Sequence, residues 1–326
     1  MKRSRRDVLN LAASAIILPA LPRIARAQAY PARPVRMIVP FGPGGPTDVC
    51  ARIVAQKLSE QLGRQFFVEN VPGASSNIGT GQAARAAPDG HTLLVTVNNL
   101  VINPTLFGNV PFDPFKSFEP IILAAGFASA LVVHPSMPVR TVAELVAHIK
   151  ANPAKYSFAS AGIGTPSHLL GEQFRLAVRL DLVNVPYGGS GPATASVVAG
   201  HSPIGFVAVA SAAPHVQENT LRALAVMSKT RSQAMPQVPT IAEAGHPGLD
   251  GDAWVGVLVP AGAPKDIVAL LHREIAKMLA LPEMKERLAM LGLEPLGGTP
   301  EEFATQIRFE TEKWSKVIRA ANLKAE

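Results

Sequence analysis

Short apolar runs alternate along the chain with segments whose apolar positions recur every three or four residues. The first pair is an apolar run over 35–40, a loop over 41–48, then Val49, Ile53, Val54, Leu58 and Leu62 at helical spacing, closing at Gly63. "FFVEN" then predicts a strand, "VPGASSN" a loop and "IGTGQAARAA" a helix that stops at Pro88-Asp89-Gly90; "HTLLVTVNN" predicts a third strand. Later, "KYSFAS" leads through "AGIGTPS" into the helical "HLLGEQFRLAV", and "LVNVPY" leads through "GGSG" into "PATASVVAG". Strands alternating with helices predict parallel sheets. Thr141 with Glu144, and Thr299 with Pro300 and Glu302, spell capping boxes at two helix starts. A last helix is predicted over about 301–321, with Phe303, Ile307, Trp314 and Ile318 on its core side. The Pro-rich segments near 134–138 and 236–247 predict loops near crossovers between two domains. No repeat of fixed period and no low-complexity tract interrupts this order.

The N-terminus departs from the pattern. A basic head is followed by an apolar stretch of about 14 residues from Val8 to Leu21, then Ala25-Arg26-Ala27. Head, core and small-residue site predict a cleaved export signal over 1–27, its core too short to span a bilayer. Ser4-Arg5-Arg6-Asp7-Val8-Leu9 resembles the twin-arginine (Tat) export motif, with Val8 and Asn10 where Phe and Lys are usual. Residues 1–27 hold six basic residues against Asp7, a net +5 of the formal +7, so the mature chain is near +2. No basic stripe remains for a nucleic acid. Cys50, the only cysteine, sits on the helical pattern as a small core residue and has no disulfide partner. About 300 mature residues, lightly charged and nearly half apolar, suffice for two modest α/β domains of an exported, soluble protein.

The residues narrow the chemistry. There is no His-Glu-x-x-His, no Cys-x-x-Cys and no pair of histidines at helical spacing, which disfavours a metal site. "GGSGP" misses the final glycine of a nucleophile elbow at Pro192, and no glycine loop is followed by Lys-Ser/Thr. Gly42-x-Gly44 opens a helix after a strand, and Glu69 ends the next strand, as a dinucleotide site would require. Thr47 occupies the third glycine position, however, and Pro43 and Pro46 remove two N–H donors. An anion receptor fits better. Four helix N-termini follow flexible loops (41–48, 72–77, 161–167, 187–191), and none of these loops contains Lys or Arg. A carboxylate would be held there by N–H groups, Ser, Thr and Asn.

"YPARPVRMIVPFGPGGPTD", "VENVPGASSNIG", "PDGHTLL", "VPFDPFKSFEPI", "GIGTPSHL", "VPYGGSGPA", "PQVPTIAEAG" and "WVGVLVPAGAP" resemble, in order, the hallmarks of the Bug/TctC family. These are the periplasmic solute receptors of tripartite tricarboxylate transporters. The resemblance spans the mature chain and implies an α/β, type II periplasmic-binding-protein fold with a ligand cleft between two lobes. Lobe 1 is expected over 28–127 plus 252–326, and lobe 2 over 128–251. The resemblance further implies closure on a small organic carboxylate and delivery to the large and small membrane subunits of a transporter. Receptor, not enzyme, is the expectation: a monomer with no catalytic residue, metal or cofactor.

Carried over by position, Phe41, Gly44, Gly45, Thr47 and Asp48 would face the ligand, with Ser75, Ser76, Asn77 and Asn98 beside them. Thr165, Ser167, His168, Tyr187, Gly189 and Ser190 would line the other lobe. His168 could equally pack locally at a helix start, and Asp48 could be a first-turn carboxylate favoured by the helix dipole. Gly188 stands where the family often has Lys, Val207 where an Asp often follows the Phe, and Ser75-Ser76 where a more glycine-rich pair is common. Losing Lys and Asp makes the second lobe less polar, so the expected ligand is a carboxylate with an apolar or aromatic body. Two alternatives stay open at this point: an exported dinucleotide-dependent oxidoreductase, and a receptor that feeds a signalling kinase.

Overall fold

A computed structural model describes residues 30–153, 155–251, 253–320 and 323; the export signal expected over 1–27 lies outside them. Two sheets organise the chain. The first holds β1 (Val35–Val39), β2 (Phe66–Asn70), β3 (Thr92–Thr96), β4 (Phe118–Phe127), β10 (Ala253–Pro260) and β11 (Leu293–Gly297). The second holds β5 (Ser129–Val133), β6 (Tyr156–Ser160), β7 (Leu182–Pro186), β8 (Ile204–Ala208) and β9 (Arg222–Val226). Strand order is β11-β4-β10-β3-β1-β2 in the first sheet and β7-β6-β8-β5-β9 in the second.

The expectation of parallel sheets holds only for part of each. β1 pairs parallel with β2 and β3, and β6 parallel with β7 and β8, as short strand–helix–strand units require. β10 runs antiparallel to β3 and β4, and β5 antiparallel to β8 and β9. Both strands enter their sheets directly from the other lobe, and so escape the right-handed crossover that would make them parallel. The first lobe crossing is the single residue Ala128 between β4 and β5; the second is the long segment after β9. Of the two Pro-rich stretches expected near crossovers, 236–247 lies in that second segment, while 134–138 follows β5, a few residues past the Ala128 crossing.

The helices are α1 (Pro46–Leu62), α2 (Asn77–Ala84), α3 (Asn99–Phe107), α4 (Val142–Lys150) and α5 (Pro166–Ala177), followed by α6 (Ser190–Val198) and α7 (Val209–Gln217). α8 (Lys265–Ala280), α9 (Pro282–Met290) and α10 (Pro300–Ala320) complete the first lobe. They cover both faces of each sheet. Val35, Met37 and Val39 of β1 pack with Ile53, Val54 and Leu58 of α1 and with Leu271 and Ile275 of α8. Ile38 and Leu94, pointing the other way, meet α3 and the Phe303, Ile307 and Ile318 stripe of α10. The central strands are buried on both sides, which is why they read as continuous apolar runs. α1 starts with proline at its first turn and ends on Gly63 at φ +66°, a left-handed C-cap. Both expected caps form, Thr141 Oγ1 accepting the Glu144 N–H and Thr299 Oγ1 the Glu302 N–H at 3.1 and 3.2 Å. The Glu302 carboxylate closes its box on Thr299 N–H, whereas Glu144 reaches one residue further, to Arg140 N–H. Asn98 and Asn99, expected to extend the third strand, instead open α3.

Candidate functional site

Three helix N-termini converge between the lobes. α1 begins at Gly45, Pro46 and Thr47; α5 at Thr165, Pro166 and Ser167; α6 at Gly189 and Ser190. Each contributes residues to the wall of one cavity of about 30 Å³. The starts of α1 and α6 lie against each other, so that a Cβ at Gly45 would stand 3.6 Å from the Ser190 Cβ. The prolines at the first turns of α1 and α5 have no N–H to offer. The next N–H groups, of Thr47 and Ser167, meet no acceptor among the described residues. Phe41, Val97, Phe127 and Ala208 supply an apolar wall, and among the described residues no charged side chain lines the cavity. Positive dipole ends with no counter-charge, set against an apolar wall, favour an anion that carries an apolar body.

The loops lean on one another across the cleft. The Gly42 N–H donates to the Gly188 carbonyl at 2.6 Å, and the Ser211 hydroxyl to the Gly44 carbonyl at 2.9 Å. Gly191 packs so closely on Pro43 that a Cβ there would overlap its carbonyl oxygen. Within the second lobe the hydroxyls stitch their own loops. Thr165 Oγ1 donates to the Gly162 carbonyl at 2.6 Å, Ser167 Oγ accepts from Ala161 N–H at 3.0 Å, and Ser190 Oγ accepts from Ala208 N–H at 2.8 Å.

Comparisons with known proteins agree on what this arrangement is. The family model described as "Tripartite tricarboxylate transporter family receptor" (TctC) matches residues 50–323. The chain belongs to that family. It is 40% identical over 304 residues, 93% of this chain and 90% of the relative, to the "UPF0065 protein in tcbD-tcbE intergenic region" of Pseudomonas sp. (strain P51). The solved periplasmic binding protein BugD is 33% identical with a TM-score of 0.87, over 91% of this chain and 100% of its own. R. palustris Rpa4515 with adipate is 31% identical with a TM-score of 0.87, over 90% and 99%. The fold is thus the two-lobed α/β fold of periplasmic binding proteins, and the chain is a solute receptor of the tripartite tricarboxylate transporter type.

Of the residues expected at the site, Phe41, Gly45, Thr47, Thr165, Ser167 and Ser190 line the cavity. Gly44 and Gly189 lie beside it in the cross-lobe contacts, with Gly189 at φ +144° and its Cβ position 3.0 Å from the Gly42 nitrogen. Others stand elsewhere. Asp48 is buried and turned back into its own lobe: it accepts from Gly44 N–H at 3.1 Å, Arg52 Nε at 3.0 Å and Asn70 Nδ2 at 2.9 Å. Burial pushes its carboxyl up, but those hydrogen bonds outweigh it and leave the carboxyl below its ordinary range. Asn98 is committed to the core, donating to Glu310 Oε2 at 2.7 Å and accepting the Trp254 N–H at 3.2 Å. Val207 is fully buried in the opposite face of its strand, and its neighbour Ala208 lines the cavity; successive strand residues face opposite ways. Tyr187 turns its hydroxyl onto Ser196 and Ser202 of its own lobe.

His168 packs locally. Its Nδ1 accepts the Gly164 N–H at 3.1 Å, and burial, partly offset by Glu172, lowers its pKa. Ser75, Ser76 and Asn77 form a turn held from below by Asn103, which donates to the Ser75 carbonyl at 2.7 Å and to Asn77 Oδ1 at 2.8 Å. The dinucleotide signature loses its parts: Gly44 N–H is spent on Asp48, and Glu69 pairs with Arg36 at 3.2 Å. Val97, Phe127, Ser129 and Ala208 were missed because they come from strand ends with no motif of their own. The one signal was the break in the apolar run at Gly126 and Ser129, which marks the lobe crossing.

Proposed function

We propose that the protein is a non-catalytic periplasmic receptor that captures a small organic carboxylate with an apolar body. It releases that ligand to the large and small membrane subunits of a tripartite transporter. The observation that carries this is the meeting of three helix N-termini in one uncharged cavity backed by Phe41, Val97 and Phe127. Adipate, found with the 31% identical R. palustris Rpa4515, is a ligand of this class. Each dipole end contributes about 0.3–2 kcal/mol. Micromolar binding needs about 8 kcal/mol; burying about 150 Å² of apolar ligand surface adds about 4 kcal/mol. The sum is reached only when water is excluded by both lobes together.

The cavity of about 30 Å³ has room for a guest the size of water, so a dicarboxylate enters only if the lobes separate. We place lobe 1 at 28–127 plus 252–326 and lobe 2 at 128–251, hinged at Ala128 and at the segment after β9. Residues 1–27 are the export signal, cleaved after Ala27. A thermal-shift panel tests the ligand class: adipate and aromatic acids should stabilise the protein. Stabilisation by aspartate or glutamate, and by neither of those acids, would refute it.

A further inference from the structure

Ala74, Ser75 and Ser76 follow one another at φ 45°, 53° and 80°. Residues with a side chain avoid this left-handed region, and three in succession persist only where their surroundings over-determine them. The shortest contacts to this turn come from one buried amide, with Asn99 Nδ2 also reaching the Ser75 carbonyl at 3.4 Å. Asn103, fully buried in α3, donates from Nδ2 to the Ser75 carbonyl at 2.7 Å and to Asn77 Oδ1 at 2.8 Å, with Ser76 Oγ at 3.4 Å. Asp would set a carboxylate against the Ser75 carbonyl, and Leu would leave Asn77 Oδ1 without its donor and the Ser75 carbonyl with only the longer bond from Asn99.

The same residue faces the second lobe. At Gly164, φ +75°, an added Cβ would lie 2.9 Å from Asn103 Oδ1 and 2.8 Å from Leu106 Cδ2. Ile163 and Leu169 join Leu100, Ile102 and Leu106 of α3 in one apolar cluster, so the first-lobe helix is docked on the loop that opens α5. Gly162 of that loop looks back at Ser75, whose Oγ is 3.9 Å from its Cβ position.

We propose that Asn103 is a positioning residue of the cleft. Its amide nitrogen fixes the left-handed turn 74–76 while its amide oxygen abuts Gly164, so the turn and the closure of the lobes are set together. The assignment deepens the receptor reading of the cleft, but its test needs no ligand. Amide hydrogen exchange is measured on the full chain without added ligand. Asn103→Leu should speed exchange at least tenfold in two separate segments, 73–78 and 161–165. Combining it with Ala74→Gly, Ser75→Gly and Ser76→Gly, which removes the left-handed penalty, should restore protection at 73–78 and leave 161–165 fast. Acceleration of 73–78 alone would mean that Asn103 only packs its own lobe, and no change in either segment would overturn the proposal outright. Should Asn103→Leu fail to fold, Asn103→Ser, too short to span turn and loop, is read in the same way. A chain that shows this exchange pattern and no thermal shift with carboxylates would refute the ligand class and leave the role of Asn103 standing.

Discussion

At the scale of residues, the first loop shows how a carboxylate beside a binding site can serve the protein and not the ligand. Asp48 accepts from Gly44, Arg52 and Asn70 at once, which fixes the loop that carries Phe41 and Gly45. Asp48→Ala should cost about 2–3 kcal/mol, because the hydrogen bonds that Gly44, Arg52 and Asn70 make to a charged, buried carboxylate are lost together; urea denaturation measures it. His168 makes a separate prediction. Burial holds its pKa below that of the unfolded chain, so the unfolded state takes the proton first. The stability this group contributes is complete above about pH 6.5 and is lost as pH falls below it. Denaturation midpoints taken from pH 8 to pH 5 should fall in the wild type and flatten in His168→Asn. Cys50 behaves as its position on α1 predicts: burial pushes its thiol up to about 12.

At the scale of elements, α10 ties the chain together. Its Glu310 is buried and accepts from Asn98 at the head of α3 and from Trp254 Nε1 on β10, at 2.7 and 3.0 Å. Three segments far apart in sequence are thereby fixed at the point where the chain re-enters the first lobe. Glu310→Ala strands both donors in the core and should destabilise by about 2–4 kcal/mol. Glu310→Gln, which keeps one acceptor oxygen, should cost less; thermal unfolding of the two variants compares them. Helix boundaries were legible here because caps are local: Gly63, Thr141 and Thr299 each act through residues within four positions. Asn98 was not legible, because its partner lies 212 residues away.

At the scale of the whole molecule, closure rests on backbone meeting backbone. Gly191 sits in the first turn of α6, where alanine is conformationally acceptable, yet its Cβ would collide with the Pro43 carbonyl of the other lobe. Gly191→Ala should therefore leave each lobe as stable as before, or more stable by about 0.5–1 kcal/mol, while holding the lobes apart. Small-angle scattering should show a larger radius of gyration, and calorimetry a carboxylate affinity at least tenfold weaker. An unchanged radius of gyration would show that Pro43 yields.

By itself the sequence determined the units. Short-range periodicity, capping pairs and glycine loops are written in neighbouring residues, so many of the strands and helices, and the family they resemble, could be read directly, although the head of α3 reads as the end of β3. It also marked the loops at which helix N-termini would be exposed. Only the tertiary structure decided which residues of those loops face the cleft. Asp48, Asn98 and Val207 turn inward because a buried partner or the alternation of a strand claims them, whereas Phe127 and Ala208 arrive from strand ends that carry no motif. The antiparallel directions of β5 and β10 were likewise out of reach, since strand direction there depends on where the chain crosses between lobes. A pattern of period two or 3.6 records which face is apolar; it does not record what the other lobe will press against it.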